Sequence, residues 1–130
     1  MNVQVVGDLL IAAQQLWIME DVETWLGLIA QVQKEHGSAF AILDARQGLT
    51  IASAPRRRLV EGLRHQPLNL CVVLGSSLTS RALVMLAARA LTLLRKRPAN
   101  LRFASSMEEA MQLIAAERAR VLSEREDSPR

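Results

Sequence analysis

The stretch Leu70-Cys71-Val72-Val73-Leu74-Gly75-Ser76-Ser77-Leu78-Thr79-Ser80-Arg81 constrains the fold more than any other part of this chain. A short unbroken aliphatic run stops at a glycine and hydroxyl cluster, and a long, very apolar helical segment begins at once. A run of this length bounded by turn residues reads as a strand buried on both faces. A buried strand feeding directly into a helix belongs to an α/β domain with a parallel sheet. The carboxyl end of such a strand, with the helix start that follows, forms a natural binding edge.

The rest of the chain repeats this alternation. Val3 and Val5 alternate with polar neighbours, Gly7-Asp8 is a two-residue turn signal, and Leu9 to Trp17 reads as a returning strand, an opening hairpin. From Glu20 to His36 the residues Val22, Trp25, Leu26, Ile29 and Val32 share one helical face. Glu20, Asp21 and Glu23 crowd the positive end of that helix, and Gly37 stands where a left-handed cap belongs. Ser38 to Ala45 is expected to be a third strand ending at Asp44, followed by the loop Arg46 to Thr50. Ser53 is expected to cap a short helix with Pro55 in its first turn. That helix carries Leu59, Val60 and Leu63 inward, turns Arg56, Arg57, Arg58 and Arg64 outward, and ends at Pro67.

After the strand Leu70 to Leu74, the long helix spans about Leu78 to Lys96 and closes at Pro98-Ala99-Asn100. Leu101 to Ala104 is the last strand. Ser106-Met107-Glu108-Glu109 has the capping-box spacing, and Met107, Ala110, Met111 and Ile114 line the inner face of the final helix. The expected fold is therefore a single α/β domain over residues 1–122. It has a mixed, mostly parallel four-to-five-stranded sheet, an N-terminal hairpin and about four helices. Residues 123–130 form a charged tail expected to fray.

Composition narrows the function classes. Trp17, Trp25, Phe40 and Phe103 are all the aromatic residues there are, so a stacking platform for single-stranded nucleic acid is not expected. The single cysteine, Cys71, lies inside an apolar strand and is expected to be a small buried hydrophobe in a reducing compartment. The amino terminus lacks a basic n-region and its apolar stretch is broken by Gln14-Gln15, so the expected location is cytoplasmic. Net charge is only +3, but residues 56–102 hold ten basic groups against Glu61 alone, a local charge of +9. Such a segment either faces something anionic or is a solvated arginine-rich surface.

The order of elements, with the strand ending Ile42-Leu43-Asp44, the run Pro67 to Ser77, the apolar helix from Arg81-Ala82-Leu83 to Leu91-Thr92-Leu93-Leu94, and the ending Leu101 to Ala110, resembles SpoIIAA-like or STAS-like domains. These are relatives of the bacterial anti-sigma-factor antagonists, and the resemblance covers nearly the whole chain. It implies a four-to-five-stranded sheet with helices and a regulatory role in protein binding. Some members of the wider group bind lipids. The antagonists accept a phosphoryl group on a hydroxyl just after the aspartate that ends the third strand. Here Asp44 is followed by Ala45-Arg46-Gln47-Gly48, so that switch is not expected.

Two surfaces stand out. The first is the edge formed by Asp44, Arg46, Gly75, Ser76, Ser77, Thr79 and Arg81, where free N–H groups, hydroxyls and an arginine suit an anion. Serines also cap helices with no ligand present, and the stretch is neither a dinucleotide nor a Walker pattern. The second is the long helix, whose Leu83, Leu86, Leu91 and Leu94, with the cluster Arg95, Lys96 and Arg97, allow three readings. They are core packing on two sides, a dimer interface, or docking at the anionic inner face of a membrane. His36 and His65 have no sequence neighbours that make a base or a metal ligand, and no zinc spacing occurs. No catalytic residue, cofactor or metal is expected. The expected function is a non-enzymatic binding or regulatory domain acting through a protein partner or homo-oligomer, with a peripheral membrane or anionic-ligand module as the alternative.

Overall fold

A computed structural model describes residues 1–66, 68–75, 81, 82, 85, 86, 88, 89 and 100–127, with side chains through 124. Strands β1 (Val3–Val6) and β2 (Leu9–Ala12) form the opening hairpin, followed by β3 (Leu16–Trp17) and helix α1 (Met19–His36). Then come β4 (Phe40–Asp44), β5 (Thr50–Ile51), α2 (Ser53–His65), β6 (Leu70–Leu74), β7 (Leu101–Ala104) and α3 (Met107–Asp127). Arg81, Ala82, Met85, Leu86, Ala88 and Arg89 are helical, within the span expected of the long helix. The main sheet runs β1-β2-β4-β6-β7, antiparallel at the hairpin and parallel at every other pairing. The mixed, mostly parallel five-stranded architecture matches the expectation.

Strand periodicity sends alternate residues to two cores. Leu10, Ala12, Ala41, Cys71 and Val73 meet Val22, Trp25, Leu26, Ile29 and Val32 of α1, with Leu59 and Leu63 of α2 packed against them. On the other face Leu9, Phe40, Ile42, Leu70, Val72 and Leu74 meet Ala110 and Ile114 of α3. The five apolar residues read as the inner stripe of α1 are all buried, and Gly37 caps the helix at φ 75°. Asp21 reaches back to accept the Ile18 N–H at 2.9 Å.

Several local expectations need correction. The stretch Leu9 to Trp17 is two strands, because the chain leaves the main sheet after Ala12 and Leu16–Trp17 pairs in parallel with Thr50–Ile51. Thr50 therefore belongs to a strand and not to the loop. The third expected strand is shorter than Ser38 to Ala45. Ala52, extended at φ −64° and ψ 163°, is the cap of α2, and the first turn closes from the Arg56 N–H to its carbonyl, so Ser53 already lies inside the helix. Of the α2 arginines, Arg56 and Arg58 are half-buried, and Arg58 pairs with Glu23 of α1. Met111 is exposed, and Leu113 packs inward instead. Ser106 Oγ accepts the Glu109 N–H at 3.1 Å as expected, but the Glu109 carboxylate returns to the N–H and Oγ of Ser105. Helix α3 continues to Asp127, into the segment expected to fray. Pro67 and residues 128–130 lie outside the described residues.

The amino ends of the parallel strands are tied together by side chains. Arg118 of α3 grips Asp8, at the hairpin turn, through Nη2 at 2.7 Å and Nε at 3.2 Å, and its guanidinium lies over the Phe40 ring. Asn69 Oδ1 accepts the Ala39 N–H at 2.9 Å, and Asn100 Nδ2 donates to the Asn69 carbonyl and to Glu117.

Helices α1 and α2 are close because Gly62 has no side chain: a Cβ there would collide with the buried Leu26 side chain. Alanine gains about 1 kcal/mol of helix propensity over glycine. Forcing a methyl into a filled interface costs about 1–3 kcal/mol. Gly62→Ala is therefore expected to lower stability by about 1 kcal/mol, read from the urea midpoint at constant slope. A higher midpoint would show that the α1–α2 spacing is not set by this contact.

Candidate functional site

The carboxyl ends of β4, β6 and β7 sit side by side in register, Asp44 opposite Leu74 and Leu74 opposite Ala104. Two further backbone bonds extend the ladder past the strands, from the Ala45 N–H to the Leu74 carbonyl and from the Gly75 N–H to the Ala104 carbonyl, both 2.9 Å. Ala45 is thereby pulled into the core, and the chain turns so that Arg46 folds back over Asp44. The Asp44 carboxylate accepts the Arg46 backbone N–H at 3.1 Å, Nε at 2.9 Å and Nη2 at 2.7 Å. This bidentate arrangement fixes both groups in one geometry.

Gly75 completes the cluster. Its φ of 60° is left-handed, and a Cβ there would collide with Cγ of Arg46. The aliphatic stem of Arg46 thus lies on the Gly75 backbone while its fork holds Asp44. The hydrogen bonds from the Arg46 side chain hold the Asp44 carboxyl below the ordinary carboxylate range, against an opposing push from partial burial. In the same way Asp44 raises the Arg46 guanidinium. At this edge Asp44 and Arg46 form an ion pair whose arginine is half-exposed.

Of the residues named from sequence, the structure brings Asp44, Arg46 and Gly75 together. Arg81 is exposed, with its guanidinium 5.1 Å from the Phe103 ring centroid on β7. Leu86 is exposed. Ser76, Ser77, Thr79, Leu83, Leu91, Leu94, Arg95, Lys96 and Arg97 lie outside the described residues. Burial pushes the Cys71 thiol up to about 12, away from thiolate chemistry. Among the described residues, no group of three His, Cys, Asp or Glu could hold a metal ion. No helix among them is long and apolar enough to cross a membrane.

Sequence reasoning missed the segment beside this edge. The Gln15 carbonyl accepts the Thr50 N–H at 2.7 Å, and Gly48 lies against the Gln15 side chain, so β3 is fastened to the loop that follows Arg46. There Leu16, Ile18 and Met19 are 59%, 50% and 40% exposed, while Trp17 between them is buried. The available signal was the run Leu16-Trp17-Ile18-Met19 itself, apolar at every position and so matched to neither helical nor strand periodicity with a single buried face.

Compared with known proteins, the chain matches no family model and no curated sequence.

The ion pair makes stability depend on acid. A carboxyl whose folded value is lowered contributes stability that is present above its unfolded value of about 3.9 and lost as pH falls through the lower folded value. Arg46→Gln removes the principal cause of that lowering. The wild-type protein is expected to exceed Arg46→Gln in urea midpoint near pH 6, and the gap is expected to close as pH drops below about 4. A gap constant from pH 6 to pH 3 would mean that Arg46 acts through its packing on Gly75 alone.

Proposed function

We propose that this chain is a non-enzymatic regulatory binding domain of the STAS-like kind that works in the cytoplasm and docks a protein partner at the carboxyl edge of its sheet. The observation that carries this reading is the exposed run Leu16, Ile18 and Met19, on the segment fastened through Gln15 to the loop that follows the Asp44–Arg46 pair. A partner that covers the run removes the remaining exposed apolar surface of these half-exposed side chains from water, a favourable contribution at the centre of an interface. The half-exposed Arg46 fork supplies a polar rim to that apolar centre. The five-stranded, mostly parallel sheet with its opening hairpin supports the STAS-like part of the reading. Ala45 follows Asp44, so recognition here does not depend on a phosphorylated hydroxyl at that position.

A second reading rests on a different surface. Met85 and Leu86 are 42% and 57% exposed on a helical stretch that also exposes Arg81 and Arg89, the combination that favours an anionic membrane surface.

One pair of experiments separates the two. A photo-crosslinking residue at Ile18 in the native host is expected to give a discrete adduct that disappears when Leu16 and Met19 are changed to Ser, with no adduct from the exposed control position Gln112. An adduct of twice the chain mass would identify a second copy as the occupant. Identical patterns at Ile18 and Gln112 would defeat the docking edge. Flotation with phosphatidylglycerol vesicles, lost at high salt and in Leu86→Glu with Arg89→Glu, would establish the membrane reading instead.

A further inference from the structure

One of the two edges of the sheet is the hairpin strand β1, whose one neighbour among the described strands is β2. Its register with β2 pairs Val3 with Ala12, Gln4 with Ile11, Val5 with Leu10 and Val6 with Leu9. One step further out, the Ala13 N–H donates to the Asn2 carbonyl at 3.0 Å. In an antiparallel ladder, bonded and non-bonded pairs alternate. Gln4 and Val6 therefore spend their backbone groups on β2, the Asn2 N–H goes to the Gln14 side chain, and the N–H and C=O of Val3 and Val5 point away from the sheet. No other described residue bonds to those outward groups.

Natural edges of this kind are blunted by lysine, proline or a bulge. β1 has none of these: it reads Val-Gln-Val-Val, without charge, and Val5 and Val6 are 44% and 56% exposed. We propose that a second copy of this chain pairs with β1, antiparallel about a two-fold axis at Gln4, joining the two sheets edge to edge. In that register Val3 stands opposite the partner's Val5, and Val5 opposite the partner's Val3. Both pairings exchange both of their backbone bonds, so the outward groups of β1 are satisfied in full.

The side chains select this occupant over an arbitrary strand. On the α1 side of the sheet the register sets valine against valine, a favourable cross-strand pair. On the α3 side it sets Gln4 against the partner's Gln4, and an amide is donor and acceptor at once. With no charge on β1, a second copy brings no like-charge repulsion. The contact is isologous and closes after two chains, as the commonest soluble oligomers do. It uses none of Leu16, Ile18 and Met19, so it stands or falls apart from the docking edge.

Sedimentation of the full chain over a wide concentration range is the first measurement, with a reversible monomer–dimer equilibrium expected. Val5→Pro removes an N–H that points outward, so it spares the ladder to β2 yet deletes two bonds across the axis. It is expected to weaken the dimer about thirtyfold. Val5→Lys keeps the backbone intact, places a charge beside the axis, and is expected to weaken the dimer likewise. Gln4 and its counterpart form a non-bonded pair, where Cβ atoms approach to about 4.5–5.5 Å. Gln4→Cys is therefore expected to crosslink on mild oxidation, while Val6→Cys and the wild type, which holds only Cys71, do not. A wild type that stays monomeric up to about 0.5 mM, far above the range of specific association, overturns the proposal. So does a dimer that Val5→Lys leaves unchanged and Gln4→Cys fails to trap.

Discussion

Everything in this structure answers to β4, a strand whose Phe40, Ala41 and Ile42 are wholly excluded from solvent on both faces. A strand placed this way needs neighbours on both sides to complete its ladder and a helical layer above and below. The two layers are built with opposite size distributions. Toward α1 the sheet and its flanks offer Ala12, Ala39, Ala41 and Ala45 beside Leu10 and Val73, and most of the bulk comes from Trp17, Trp25, Leu26 and Ile29. Toward α3 the sheet offers Phe40, Ile42, Leu70 and Leu74, and the helix answers with Ala110 beside Ile114. Large against small is how interiors reach crystal-like density without strain. Enlarging Ala41, the single alanine of β4, would crowd the core packed on that face, and truncating Phe40 would leave a hole that Ala110 is too small to fill.

The two ends of the sheet have been finished differently. At the amino ends, Asp8, Asn69, Asn100 and Arg118 satisfy one another and the strand backbones, and Arg118 joins residues 110 positions apart in sequence. A partly buried charge-assisted pair of this kind fixes where α3 lies against the hairpin. At the carboxyl ends, the ladder stops on the Asp44–Arg46 pair over Gly75, with apolar side chains left uncovered beside it. The closed end holds the layers in place, and the proposed docking edge lies at the other.

The elements that could be read from sequence were those with a clean period. The α1 stripe and the strands Leu70–Leu74 and Leu101–Ala104 follow directly from the spacing of apolar residues. Asp44, Arg46 and Gly75 were legible as strand ends. Their closure into one cluster was not, because it depends on a backbone rung between Ala45 and Leu74 that only the register sets. The cap of α2 was misplaced by one residue, since a serine beside a proline signals a helix start without saying which carbonyl closes the first turn. The basic surplus of residues 56–102 overstated the free charge, because Arg58 is answered by Glu23 from outside that segment. The amino-end network had no local signal at all: Asn69 and Asn100 look like ordinary loop residues until the strands that follow them are adjacent.

The exposed run beside the carboxyl edge is a geometric consequence of what lies under it. Trp17 is driven inward, where its ring meets Trp25 edge-on at 5.7 Å and its Nε1 donates to the Gln14 carbonyl at 3.1 Å. In extended chain successive side chains alternate, so a buried Trp17 obliges Leu16 and Ile18 to point the other way. Turning them in would take Trp17 out of the core, at a cost far above that of leaving two aliphatic side chains in water. A merely tolerant surface would fill those two positions with polar residues at no expense to Trp17, as Gln14 and Gln15 do just before it. Leucine and isoleucine at those positions are what the proposed docking edge requires.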